Sequence, residues 1–207
     1  MDKREELFQN APIGTSVFQM AIPSVISSLV LVIYNMADTF FIGQTHDPQQ
    51  VAAVSLTNAV FVMYMAIAQL FGIGGSAMTS IVLGKGEHKK AKAVSSFCFY
   101  GSLVFGAAAG AVIIVFMDPI LALLGSNGET WQYSKDYLFY IALGAPFILL
   151  ANAFGHAVRG EGAAKASMIG GMIGTVVNII LDPVFILTFQ MGTAGAAIAT
   201  VLGNVFG

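Results

Sequence analysis

The feature that most constrains this chain is where it carries no charge. No Asp, Glu, Lys or Arg occurs between Glu6 and Asp38, between Asp47 and Lys85, between Lys92 and Asp118, between Asp136 and Arg159, or between Lys165 and Asp182. A soluble core helix has no need of such runs. A bilayer-spanning helix does, because about 20 mostly apolar residues cross a hydrocarbon core of about 30 Å. The 207 residues would otherwise suggest one or two soluble domains, but 57% are hydrophobic and only 10% charged, against roughly 25% charged in a soluble domain.

Backbone groups in lipid must be satisfied internally, so the spans are helices or strands of a closed barrel. The runs are too long for strands and lack the alternation of about ten residues per segment that a barrel shows. The expectation is an all-α bundle of six transmembrane helices over roughly 15–43, 51–83, 93–117, 132–157, 166–189 and 194 to the end. The connectors carry turn chemistry: His46-Asp47-Pro48, Gly84-Lys85-Gly86, Asp118-Pro119 with Ser126-Asn127-Gly128, and Arg159-Gly160-Glu161-Gly162. Gly and Pro end helices there by supplying unusual dihedrals or removing a donor.

Numbering the connectors alternately sorts the basic residues. Lys3, Arg4, Lys85, Lys89, Lys90, Lys92, Arg159 and Lys165 fall on one side, and only Lys135 on the other. Cytoplasmic loops carry the excess of Lys and Arg, which predicts a cytoplasmic amino terminus. Met1 to Glu6 is polar and mixed in charge, without a cleavage pattern, so the first span is expected to be retained. From Ala194 to Gly207 a helix covers about 20 Å, too short to cross. The chain therefore reads as a single transmembrane unit over residues 1–207, cut within its sixth helix.

Other chemistry is excluded by what is missing. A net charge of −2 without a basic patch argues against nucleic-acid binding. The one cysteine, Cys98, lies in an apolar run and supports neither a disulfide nor a metal framework. The Gly72 to Ser80 stretch lacks the Gly-Lys-Ser/Thr ending of a phosphate loop. Gly72, Gly74, Gly75, Gly106, Gly110, Gly170, Gly171, Gly174 and Gly195 lie inside spans, where small residues permit close helix packing.

Two carboxylates lie where charge is costly: Asp38 in the first span and Asp182 in the fifth. Each costs about 2.5–3.5 kcal/mol at mid-membrane on insertion scales, so each is either functional or close enough to the interface to reach the headgroups. Asn35 is one helical turn before Asp38. Asn178, four residues before Asp182, shares its face. Pro183 removes a backbone donor and frees a carbonyl near position 179. Asp38, Asp182 and Thr200 fall within about 7–11 Å of the same end of the bundle. Two carboxylates, an amide and a hydroxyl meeting there would suit a proton or a small hard cation such as Na+. Pro23 and Pro146 sit inside spans one and four, as static kinks or, for Pro23, as a hinge responding to protonation.

These segments resemble the multidrug and toxic compound extrusion (MATE) family. Pro23 followed by Tyr34-Asn35-Met36-Ala37-Asp38-Thr39-Phe40-Phe41-Ile42-Gly43 is similar to the family's first helix. The Gly84-Lys85-Gly86 loop, Arg159-Gly160-Glu161-Gly162, Asn178 with Asp182-Pro183, and Ala196 to Thr200 resemble its later connectors and its fifth and sixth helices. The resemblance implies that Asp38, Asn178, Asp182 and Thr200 line the cation site of the amino-terminal lobe, with Asn152 a further polar position and Tyr137 and Asn35 lining the cavity. It implies antiport of organic cations against H+ or Na+ in a bacterial cytoplasmic membrane, with no cofactor beyond the coupling ion. Membrane lipid, a small organic cation, and a missing carboxy-terminal lobe or a second copy are the implied partners, since the family has twelve helices in two six-helix lobes. Two alternatives stay open. A flippase of lipid-linked saccharides would carry several basic residues inside its cavity, and none lies inside a span here. An intramembrane aspartyl protease would use two carboxylates sharing a proton, but Ile180-Leu181-Asp182-Pro183 lacks the Gly-x-Gly-Asp pattern, and no Tyr-Asp pair occurs at Asp38.

Overall fold

In the computed structural model, which describes residues 13–207, every regular element is helical. Lys3, Arg4 and the polar start Met1 to Glu6 lie outside the described residues. Within them the two-sided sorting rests on Lys85, Lys89, Lys90, Lys92, Arg159 and Lys165 against Lys135. Seven α-helices run in order: α1 Ile13–Gly43, α2 Pro48–Gly84, α3 His88–Val115, α4 Met117–Leu123, α5 Trp131–Gly160, α6 Ala164–Pro183 and α7 Gly192–Phe206. A π-helical segment, Val184–Thr188, follows α6 directly. Five helices are long and apolar enough to cross a membrane, and α7 is shorter.

The observed helices follow the expected spans closely, with two differences. Asp118 and Pro119 do not break the chain. The break is at Phe116, and both residues sit in the first turn of α4. Proline is accepted there because the first N–H groups of a helix have no partner within it. Pro183 lies inside the fifth span as expected, but it is the last α-helical residue there, and the span continues with wider π turns. The helices run through Pro23 and Pro146 without interruption.

The bundle is organised around α5, which packs along α2, α3 and α7. Its buried residues Leu138, Ile141, Ile148 and Leu149 join Tyr64 of α2, Ile113 of α3 and Leu121 of α4 in one apolar core. The close approach is made by small residues. A Cβ on Gly106 would lie 2.6 Å from Pro146 Cα. One on Gly110 would strike the Ala142 carbonyl, and one on Gly144 would strike Val201. Of the glycines expected to pack closely, Gly74 and Gly171 do not: nothing lies within 4 Å of the Cβ position of either. The outer surface is apolar instead, with Phe18, Leu29, Met36, Leu70, Phe97, Val104, Val115 and Ile180 all exposed, as a lipid-facing surface requires.

The connectors separate into two ends. Gln49 Nε2 donates to Glu129 Oε2 at 3.2 Å, and Gly192 abuts Gln50, so the connectors before α2, α5 and α7 share one end. Ser80 Oγ donates to the Gly160 carbonyl at 2.7 Å, and Ser95 Oγ to Glu161 Oε1 at 3.5 Å, so the connectors before α3 and α6 share the other. At the first end Asp47 caps α2 by accepting the Gln49 N–H at 3.0 Å. The Tyr133 hydroxyl and these amides hold its carboxyl below the usual range. The turns into α3 and α6 use Gly86 (φ 73°) and Gly162 (φ 80°), in the left-handed region that only Gly enters freely.

Candidate functional site

The two intramembrane carboxylates and their polar partners gather where α1, α6 and α7 meet, with Tyr137 of α5 beside them. The local cause is a stripe of small residues on each of two helices. Gly170, Gly174, Asn178 and Asp182 recur every four residues along α6, and Thr200 and Gly203 of α7, with Gly207 just past its end, form the facing ridge. A Cβ on Gly203 would lie 2.9 Å from the Gly174 carbonyl oxygen and 3.0 Å from Asn178 Cβ. With no side chain at these positions, the two backbones approach closely enough for a short amide to span from one to the other.

Asn178 does this. Its amide nitrogen donates to Asp182 Oδ2 at 3.2 Å while its carbonyl oxygen accepts the Thr200 N–H at 3.2 Å. With the amide turned over, the nitrogen meets Asp182 Oδ1 at 3.3 Å. The first orientation satisfies both ends with an ionised carboxylate. Asn178 and Asp182 are fully buried, and Thr200 nearly so. Tyr34 of α1 closes the cluster by donating its hydroxyl to Thr200 Oγ1 at 3.1 Å.

Asp38 stands one helical turn from Tyr34 on the same face of α1. It is near enough to Asp182 for the two carboxylates to interact electrostatically. Its Oδ1 is buried and accepts no hydrogen bond among the described residues. A buried carboxylate oxygen without a donor is uncommon and calls for a proton, a cation or a moving neighbour. Tyr137 of α5 is buried within electrostatic reach of Asp38, Tyr34 and Asp182, so it lies beside the cluster.

The remaining candidates are placed differently. Asn152 sits one layer away. Its Nδ2 donates to the Ile148 carbonyl at 2.8 Å and to Asn204 Oδ1 at 3.4 Å. Asn204 in turn donates to the Thr200 carbonyl at 2.9 Å, which joins Asn152 to the cluster at one remove. Asn35 is exposed and stands outside the buried cluster. Pro23 is buried, about four turns before Asp38 on α1. The sequence pattern did not single out Tyr34 and Asn204 as site residues, although each had a signal. Tyr34 precedes Asp38 by four residues and Asn204 follows Thr200 by four, so each shares its partner's helix face.

Two carboxylates, an amide, hydroxyls and a carboxylate oxygen without a donor form a hard-oxygen set. Such a set fits a proton or a small cation with oxygen preference. Among the described residues no group of three or more His, Cys, Asp or Glu forms a metal site.

Comparison with known proteins gives a consistent result. The MatE family model matches residues 23–184. The multidrug export protein MepA of Staphylococcus aureus is 36% identical over 204 residues, covering 99% of this chain and 45% of MepA. Among solved structures, a MATE protein in complex with MaD3S superposes with a TM-score of 0.92 at 30% identity, over 99% of this chain and 46% of the other. A multidrug resistance MATE family transporter in its outward-facing conformation gives a TM-score of 0.92 at 30% identity, over 99% and 45%. The chain thus spans about half the length of the relatives it matches.

Proposed function

The chain belongs to the MatE family, and from that premise we propose that it forms one lobe of a secondary antiporter that exports small organic cations in exchange for H+ or Na+. The observation that carries the reading is the buried cluster of Asn178, Asp182 and Thr200 with half-buried Asp38 beside it, whose buried Oδ1 finds no donor among the described residues. These four residues would hold the coupling ion: a proton on either carboxylate, or Na+ among their oxygens. A second lobe or a second copy of this chain would supply the other wall of the substrate path. The amino terminus would be cytoplasmic, following the basic residues.

Coupling needs an element whose position depends on the ion, because a ligand shifts an equilibrium only by its differential affinity for the two states. α1 suits that role. It is the least covered of the five long helices, yet it carries Asp38 and Tyr34 into the cluster. Pro23 takes one N–H donor out of an otherwise continuous helix and would give it a place to bend. Ion binding would draw α1 toward α6, and release would free it.

The exporter names of the relatives favour transport over an intramembrane protease. The absence of a basic residue from the described cluster favours organic cations over lipid-linked saccharides. Substitution of Asp182 by Asn tests the reading. Asn keeps the shape and hydrogen bonding but cannot exchange a proton or offer a negative charge. In the full-length gene product, Asp182→Asn and Asp38→Asn should each abolish dye efflux from energised vesicles while insertion is unchanged. Asp182→Asn efflux at the unmodified rate against a gradient would refute the coupling role.

A further inference from the structure

A second feature lies on the other side of the bundle. α3 packs chiefly against α5 and α2, whereas Asp38, Asn178, Asp182 and Thr200 are on α1, α6 and α7. Between α2 and α3 runs an apolar cleft of about 510 Å³, lined by Leu70, Gly74 and Met78 on one wall and Ala93, Phe97 and Cys98 on the other. At Phe97 it meets a second apolar groove of about 400 Å³ that continues along Tyr100, Val104 and Phe105. From Ala93 to Phe105 the path covers about 18 Å of helix. That is close to the thickness of one leaflet, half of a core of about 30 Å.

Both walls end in lysine. Along α2 the cleft face passes from Gly74 to Met78 and, two turns on, to Lys85 at the end of the helix. Along α3 it passes from Phe97 to Ala93 and then, one turn back, to Lys89 in the first turn. Glu87, the acid in this turn, is held by Lys90 at 2.6 Å, and among the described residues neither Lys85 nor Lys89 forms an ion pair. Glu87 makes no side-chain cap to α3, and no acid follows in the first turn, so the positive end of a 28-residue helix adds to the field of the lysines.

We propose that this cleft binds an anionic phospholipid, with one acyl chain between α2 and α3 and the headgroup phosphate on Lys85 and Lys89. The tail accounts for the apolar cleft and its leaflet length, and the phosphate for two uncompensated ammonium groups at its mouth. A soluble anion would use only the mouth. A zwitterionic lipid would bring its own positive charge to the lysines.

The test uses the full-length gene product in vesicles containing phosphatidylglycerol with a photoactivatable group midway along one acyl chain. Mass mapping should place the label on residues 93–105. Unlabelled phosphatidylglycerol should compete, phosphatidylcholine should compete at least about five-fold less well, and inorganic phosphate should not compete. Lys85→Gln with Lys89→Gln should lower labelling by about five-fold per lysine. Gly74→Leu fills the cleft at a position with nothing within 4 Å. It should remove the label while leaving both lysines and the size-exclusion profile intact. Equal labelling from the two headgroups, or labelling insensitive to both sets of substitutions, would overturn the proposal. So would cross-linking of α2 and α3 to a protein segment, which would mean that another helix or a second copy covers the cleft.

Discussion

Gly203→Ala is the sharpest test of how the site is held. The added Cβ would stand 2.9 Å from the Gly174 carbonyl oxygen and 3.0 Å from Asn178 Cβ. Relaxed contacts need about 3.5–4.0 Å, so α6 and α7 must separate by roughly 0.5–1 Å. The contact between the Asn178 carbonyl and the Thr200 N–H begins at 3.2 Å. The same separation takes it past about 3.7 Å, beyond a useful hydrogen bond. Overpacking of this kind costs about 1–3 kcal/mol. Replacing Gly by Ala inside a helix returns about 0.5–1 kcal/mol, which leaves a net loss of up to about 2.5 kcal/mol. At about 2–4 °C per kcal/mol for a chain of this size, the melting temperature in detergent should fall by up to about 10 °C. Ion-coupled efflux should fall further than the stability loss explains, because the ion site loses its α7 partner. Gly74→Ala is the control: it adds the same methyl into open space and should raise stability by about 0.5–1 kcal/mol. If the two variants melt together and transport alike, the close approach of α6 and α7 does not hold the site.

Tyr34→Phe removes the hydroxyl that joins α1 to Thr200 at 3.1 Å. A hydrogen bond is worth about 0.5–1.5 kcal/mol net, so the apparent affinity for the coupling ion, read from efflux against ion concentration, should weaken by roughly 2–13-fold. An unchanged affinity would separate Tyr34 from the site. For topology, single cysteines at His88 and Asn127, with Cys98 replaced by Ala, should react with an impermeant maleimide from opposite sides of the membrane, His88→Cys from the cytoplasm. Labelling of both from one side would contradict the alternation of the connectors.

The helices were legible because charge is the informative signal in lipid. Each charge-free run became a helix, and the turns at Lys85-Gly86 and Glu161-Gly162 fell where Gly and charge occur together. The faces of those helices were not legible in the same way. In water a helix shows which side it buries by alternating apolar and polar residues. Here the lipid-facing Leu70 and Val104 and the buried Ile141 and Leu149 are chemically alike, so the apolar pattern does not say which side packs. Only polar intruders and small residues break that degeneracy. This is why Asn178 and Asp182 could be paired from spacing, while Tyr34, an uncharged member of the first-helix motif, was not marked out as a site residue. The π segment after Pro183 and the separate helix α4 depend on tertiary packing and on which N–H groups lack partners, and neither leaves a periodic trace.

The orphaned oxygen of Asp38 bears on how a half-bundle of this kind would do work. Asp182 is balanced within its own neighbourhood, because Asn178 donates to it and is itself anchored on α7. Asp38 has no such anchor among the described residues, and it is carried by the least covered of the five long helices. Leaving a buried polar atom unsatisfied costs about 1–3 kcal/mol, and more when it is charged. The bundle therefore has two ways to lower its energy at this point: bind a proton or cation between the carboxylates, or move α1 so that Asp38 reaches water. The first holds α1 in, and the second lets it out. Linkage makes the relation reciprocal, since whatever holds α1 against α6 must raise the ion affinity by the same factor by which the ion favours that position. In the proposed antiporter, an uneven partnership between two aspartates, one fixed and one on the least covered long helix, would convert ion binding into displacement. A symmetrical pair, each fully satisfied by its own donors, would bind the ion and move nothing.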